Sequence, residues 1–290
     1  MNYRHAYHAG NFADVVKHAV LALVIAHLKK KPAPFRIIDT HAGAGLYDLR
    51  DEAAEKTGEW RNGIARLVGP QAEPIPQPQA EILKPYLDVV RAMNPAAELH
   101  RYPGSPRLAR ALMRPGDQLV ANELHPEDGA ALRSLFARDP DSKVLRLDGW
   151  TALKALLPPK ERRGAILIDP PFEEPGELDR LRQALRQGVA RFATGIYLLW
   201  YPIKDNAPKV ALERALQRDG HAKLLQVDLL VRAPRRADVL NGAGMFILNP
   251  PYRLDEVLQS LMPFLAARLA QGSGSRGEVR WLARERPSRA

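Results

Sequence analysis

Four acidic side chains stand where short apolar runs of the chain end, and one of them opens the sequence Asp169-Pro170-Pro171-Phe172. A carboxylate followed by two prolines presents acceptors without backbone donors, because proline carries no N–H. Asp169 and the carbonyl of Pro170 can therefore hold both hydrogens of an exocyclic amine. The N6 lone pair of adenine is delocalised into its ring. Two acceptors on its hydrogens let the nitrogen pyramidalise and attack an electrophile such as a methyl sulfonium. Phe172 offers a face on which an adenine turned out of its stack can rest. The other three carboxylates are Asp39, which precedes the glycine turn His41-Ala42-Gly43-Ala44-Gly45, then Glu123, and then Asp148 with Gly149. Glu123 suits the two ribose hydroxyls of an adenosyl cofactor, and Asp148 suits its adenine amino group. Taken singly, Glu123 and Asp148 better suit solvated strand ends or helix caps; together, in this order, they point to the cofactor.

Competing sites follow from the same residue types. Pro-Pro also occurs at 158 and 250, and Asn249-Pro250-Pro251-Tyr252 has an acceptor and a ring of its own. Its place after the last strand of the series puts it one strand or more from the cofactor edge, as structure or as a substrate wall. The N-terminal run Tyr3-Arg4-His5-Ala6-Tyr7-His8 is rich in rings and donors. It reads as a flap over the site, with Tyr3 stacking and Lys17 or His18 reaching the cofactor, or as the polar lead of an ordered helix. A metal held by His5, His8 and His18 lacks further ligands at suitable spacing except Asp14, and methyl transfer needs none.

These residues must be positioned by elements that the patterning outlines. Asn11 can cap a helix whose apolar positions 15, 16, 19, 20, 23 and 28 recur at helical spacing, ended by Pro32 and Pro34. Strands are predicted at 35–40, 118–123, 143–147, 165–168, 195–201, 222–231 and 245–248, most followed by a helical stretch. Alternation of this kind gives a parallel sheet with crossover helices, and ligands sit beyond its carboxyl ends. The last two strands are joined by residues 232–244 without room for a helix, so at least one runs antiparallel. Residues 46–101 read as an inserted helical subdomain, with patches at 57–68 and 79–93 around a proline-rich join, and the stretch after Gln271 is rich in Gly, Ser and Arg.

Composition bounds the function. The 290 residues are 46% hydrophobic and 26% charged, an ordinary globular balance. There is no cysteine, hence no disulfide or thiolate metal site, which suits the cytoplasm. The start lacks a secretory pattern and no apolar run approaches a bilayer span, so neither export nor membrane insertion is expected. The net charge of +10 favours a polyanionic partner, and equally suits simple solubility. The glycine turn has Asp48 where a dinucleotide fingerprint needs a third glycine, and no phosphate-cradling Gly-x-x-x-x-Gly-Lys loop occurs.

In chain order stand Tyr-Arg-His-x-x-His-Ala-Gly-Asn from position 3, Asp-Thr-His-Ala-Gly-Ala-Gly from 39, Tyr-Pro-Gly-Ser-Pro from 102, Glu-Leu-His-Pro from 123, Asp-Gly at 148, Ile-Asp-Pro-Pro-Phe from 168 and Leu-Trp-Tyr-Pro from 199. The ordered set resembles the RlmJ family of large-subunit ribosomal RNA adenine-N6 methyltransferases, over nearly the whole chain to about Leu282. The resemblance implies an α/β, Rossmann-like class I S-adenosylmethionine-dependent methyltransferase fold across residues 1–282, with a seven-stranded, mostly parallel sheet, the insertion at 46–101, and a basic tail at 283–290 outside it. It implies action on one adenine of protein-free or immature 23S ribosomal RNA, leaving S-adenosylhomocysteine. Carried over by motif, His18, His41, Ser105, Glu123, Asp148, Gly149 and Asp169 would line the cofactor site, with Gly43 in its glycine turn. Asp169 would be the catalytic acceptor and Tyr3 would contact the target. Where the family often has Tyr after the two prolines, Phe172 lacks the hydroxyl and keeps the stacking face.

Rival readings keep the fold and change the acceptor to DNA adenine or a protein glutamine, or make the chain an RNA-binding protein with a vestigial site. Arg232, Arg235 and Arg236 are the expected RNA contacts, a solvated loop being the plain alternative. A monomer without metal is expected.

Overall fold

In the computed structural model, residues 4–96, 98–173, 176–234 and 238–284 are described. The first long element is α1 (Phe12–Leu28), begun by Asn11, whose side chain accepts from the amides of Ala13 and Asp14 at 2.9 Å each. This satisfies two of the N–H groups a helix start leaves open. The helix is apolar nearly all round, as befits one buried between layers rather than laid on a surface.

After it come β1 (Arg36–Asp39), β2 (Leu46–Asp48), α2 (Glu52–Thr57), the 3-10 turn Glu59–Asn62, α3 (Ala65–Val68), α4 (Gln77–Met93) and β3 (Arg101–Pro103). The segment expected as an insertion is thus mainly helical and is bounded by β2 and β3, which pair antiparallel as a separate two-stranded sheet. Leu83, Tyr86, Leu87 and Val90 of α4 join the same core cluster as α1. The rest of the chain is α5 (Ser105–Leu112), β4 (Gln118–Asn122), α6 (Pro126–Phe136), β5 (Ser142–Leu145), α7 (Gly149–Leu156), β6 (Gly164–Ile168), α8 (Glu177–Arg191), β7 (Ile196–Ile203), α9 (Asn206–Arg218), β8 (Leu224–Leu230), β9 (Gly242–Leu248), α10 (Leu254–Arg268) and β10 (Arg276–Ala283).

The main sheet has eight strands in the order β10-β8-β9-β7-β6-β1-β4-β5, not the seven expected. The five from β7 to β5 are parallel, β9 is antiparallel to both β7 and β8, and β10 is antiparallel to β8. The eighth strand is β10, in the stretch whose Gly, Ser and Arg content suggested a tail. Its burial alternates, with Arg276, Glu278 and Arg280 outward and Val279 and Trp281 turned to the core, as an edge strand packed on one face requires. The pairing extends to Ala283, the first residue of the expected tail, and residues 285–290 lie outside those described.

Central strands are buried on both faces; every residue of β6, β8 and β9 is. The chain passes from β1 outward through β4 to β5, then returns to the other side of β1 with β6 and β7. That reversal leaves a crevice above the carboxyl ends of β1 and its neighbours.

Candidate active site

The crevice is a cleft lined by His41, Gly43, Glu123, Asp148, Gly149 and Asp169, so four strand ends converge as the sequence suggested. Ser105, first residue of α5, lines it as well.

Glycine is required at two of these places. Gly43 has φ +61°, and a Cβ there would stand 2.2 Å from the Tyr47 hydroxyl. Its bare amide donates to Glu123 Oε2 at 2.8 Å, while the His125 amide donates to Glu123 Oε1 at 2.7 Å. Burial pushes the Glu123 carboxyl up, and these two backbone donors offset part of that. Each oxygen has a second lone pair for a ligand. A Cβ at Gly149 would fall 2.3 Å from His41 Nε2, so only glycine lets the imidazole lie there. The ring is held by Thr40 Oγ1 at 2.8 Å from Nδ1 and meets Trp150 edge-on at 5.4 Å. Burial lowers its pKa to about 4, leaving it neutral near pH 7. Asp148 Oδ1 accepts from the Thr151 amide at 2.9 Å and caps α7, so one oxygen serves the helix while the residue also lines the cleft.

Beneath the cleft runs a chain of charges. Lys17 Nζ lies 2.6 Å from Asp169 Oδ2 and 2.8 Å from Asp14 Oδ1. Asp14 Oδ2 in turn meets His5 Nε2 and the Gly10 amide, each at 2.9 Å. Burial opposes the charge on Lys17, but Asp14 and Asp169 outweigh it and raise its pKa. Burial likewise opposes the Asp14 anion, and His5, Lys17 and His18 hold its carboxyl well below the usual range. Asp39 lies next to this cluster; burial raises it to about 6 although the Ser105 hydroxyl donates to it at 2.6 Å.

Three expectations are corrected. His18 does not line the cleft: it is fully buried, its Nδ1 2.7 Å from the Tyr102 hydroxyl, and burial lowers its pKa to about 3. One residue along a helix turns a side chain by about 100°, so Lys17 faces the cleft and His18 does not. Phe172 has φ +51°, which turns the chain after the two prolines and sets the ring 5.6 Å from Trp200 instead of in the cleft. Pro170 and Pro171 line the cleft. Asn249 is at the opposite end of the sheet, because β9 runs antiparallel to β7; its amide donates to the carbonyls of Ala193 and Gly195 at 2.8 Å each. It lies away from the cleft and ties down those two carbonyls. Arg232 is half-buried, donating to the Gln271 side chain and the Leu240 carbonyl. Tyr3, Arg235 and Arg236 lie outside the described residues.

Trp150, Leu124, His125 and Arg180 also line the cleft and had no role assigned from the sequence. Leu124 and His125 lie within the Glu-Leu-His-Pro run, in which only Glu123 had a role, and Trp150 directly follows Asp148-Gly149, so extending that motif by one residue would have found it. Arg180 sits one turn into α8 and carries no motif signal. Among the described residues, no three of His, Cys, Asp and Glu are gathered so as to hold a metal ion, and no helix is long and apolar enough to cross a membrane.

An open, mostly parallel sheet with carboxylates at four neighbouring strand ends defines a Rossmann-like methyltransferase. Residues 32–283 match the family model described as ribosomal RNA large subunit methyltransferase D, RlmJ, and the chain belongs to that family. It is 42% identical to ribosomal RNA large subunit methyltransferase J of Escherichia coli, over 98% of this chain and all of that one. To the Haemophilus influenzae protein of the same name it is 38% identical, with the same coverage. A crystal structure of protein LPL1258 from Legionella pneumophila superposes with a TM-score of 0.82 at 33% identity, covering 94% of this chain and 98% of that one.

Proposed function

We propose that the protein methylates the N6 amino group of a single adenine in 23S ribosomal RNA, with S-adenosylmethionine as donor and S-adenosylhomocysteine as product. The observation that carries this reading is Asp169, placed by β6 at the cleft, paired with the buried Lys17 and followed by two prolines. The family's description and the names of both bacterial relatives support large-subunit ribosomal RNA as the substrate.

The cleft fits the proposed donor. Its glycine turn leaves backbone bare where a side chain would collide, two carboxylates stand at neighbouring strand ends, and Leu124 and Trp150 add apolar wall. Glu123 would hold the ribose and Asp148 the adenine amino group, with His41, Gly43, Ser105 and Gly149 shaping the rest. When bound, the donor supplies a methyl group made electrophilic by a sulfonium.

The chain's own residues do the remainder. Asp169 and the Pro170 carbonyl accept the two N6 hydrogens of an extruded adenine. Lys17 orients the Asp169 carboxylate without occupying both its oxygens. As the new N–C bond forms, N6 gains positive charge, which Asp169 stabilises before taking the surplus proton on its carboxylate oxygen. Phe172, against Trp200, would reach the base only after turning from its present place.

In the same reading, residues 1–282 form one methyltransferase domain with 46–101 as its inserted subdomain, acting as a cytoplasmic monomer on protein-free or immature RNA. Tyr3, Arg232, Arg235 and Arg236 contact that RNA. Transfer of labelled methyl to unmodified 23S ribosomal RNA, with nucleoside analysis of wild type and Asp169→Ala, tests the proposal. Label in N6-methyladenosine, lost in the variant, is expected. Label in another nucleoside, or none on RNA, overturns the assigned acceptor.

A further inference from the structure

The inserted segment meets the layer beneath the cleft through Glu59, in the 3-10 turn Glu59–Asn62. Its Oε2 is 3.0 Å from His8 Nδ1 and accepts from Asn11 Nδ2 at 2.9 Å. Burial is the largest single influence and opposes both charges, but the mutual hydrogen bond and charge attraction together outweigh it, holding His8 above and Glu59 below their ordinary values. Asn11 spends its other end on α1, its Oδ1 accepting from the Ala13 and Asp14 amides. The Glu59 bond therefore fixes which way the Asn11 amide faces, and with it the cap.

Backbone contacts tighten the same junction. The Ile64 amide donates to the Gly10 carbonyl at 2.8 Å, and the Thr57 hydroxyl donates to the Tyr7 carbonyl. A Cβ at Gly63 would lie 2.0 Å from the Gly10 oxygen, so the two chains cross with no side chain between them. Beyond the junction, the Gly10 amide bonds Asp14, Asp14 pairs with Lys17, and Lys17 with Asp169.

We infer that Glu59 is a positioning residue for methyl transfer: the insertion, through Glu59, sets where α1 begins and so where Lys17 holds Asp169. The inference rests on the proposed role of Asp169. Half-exposed ion pairs add little to global stability, so the consequence of this one is geometric. A small displacement of reacting groups has a large kinetic effect.

The test compares Glu59→Leu with Glu59→Gln, whose amide oxygen can still accept from Asn11. Glu59→Leu should lower kcat about tenfold or more, with KM for the RNA within about twofold and the melting temperature little changed, and Glu59→Gln should recover most of the loss. Hydrogen exchange over residues 11–17, measured without RNA, should quicken in Glu59→Leu only. A raised KM with unchanged kcat would make Glu59 an RNA contact and overturn the inference, as would exchange and kcat both equal to wild type. If wild type itself transfers no methyl to RNA, the acceptor has been misassigned, and the exchange measurement still decides whether Glu59 anchors α1.

Discussion

Two lysines of this protein are each held between two carboxylates, and only one of them serves a cleft. Lys17 lies between Asp14 and Asp169. Lys209, on α9, lies 2.7 Å from Asp228 and 3.4 Å from Glu213. The second cluster is closed: Tyr201 donates to Asp228, Gln226 donates to Glu213 at 2.6 Å, and Arg280 of β10 donates to both Glu213 and Gln226 at 2.7 Å. Both lysines have raised pKa values, and burial raises a carboxyl beside the first cluster, Asp39, and one within the second, Asp228. Perturbed ionisation alone therefore does not mark a site; access does. In the first cluster Asp169 reaches the cleft, while in the second every named group faces another.

The largest effect expected is from Asp169→Ala, which should cost about a thousandfold in methyl transfer while donor binding and the unfolding transition stay near wild type. Full activity in the folded variant would break the distinction between the clusters. Lys209→Met should do the reverse. Leaving Asp228 buried without its cation, while Glu213 keeps Arg280, costs about 3 kcal/mol in denaturant unfolding, with kcat preserved; a loss of kcat without loss of stability would show the closed cluster to be functional.

Asp39 supplies a pH test. Burial raises its pKa to about 6 in the folded protein, above the ordinary carboxyl value. The folded state then binds the proton more tightly than the unfolded chain, so Asp39 contributes stability that is present at pH 4 and lost as pH rises through about 6. Asp39→Asn should be roughly 2 kcal/mol more stable than wild type at pH 8 and equal to it near pH 4. A constant difference across that range would mean another group titrates. The smallest effect belongs to the second proline pair: Asn249→Ala loses two bonds to backbone carbonyls, worth about 1–2 kcal/mol together, and should leave kcat unchanged.

The strand ends were legible because each apolar run stops at a carboxylate, and the glycine turn was legible because only glycine suits Gly43. The antiparallel pair at the end of the chain followed from a connection too short for a helix. Other features depend on three-dimensional direction that residue type does not carry. Lys17 and His18 are neighbours in sequence and point about 100° apart around the helix. Phe172 follows its motif and is swung aside by a positive φ. Asn249-Pro-Pro-Tyr copies the pattern of the site but follows a reversed strand. β10 was hidden because Arg and Glu fill its outward positions, and α5 and α10 because their apolar faces resolve only against α1 and β8, on which they pack.

That late strand bears on how the protein is made. β8 is buried along its whole length, with Leu or Val at five of its seven positions, and is sandwiched by β9 and β10. On the ribosome, β8 and β9 are complete some thirty residues before β10, so one side of β8 has open N–H and C=O groups until residues 276–283 emerge. A chain released before that point presents an uncovered apolar edge to its neighbours, and its expected fate is aggregation or chaperone capture rather than a slightly weaker enzyme.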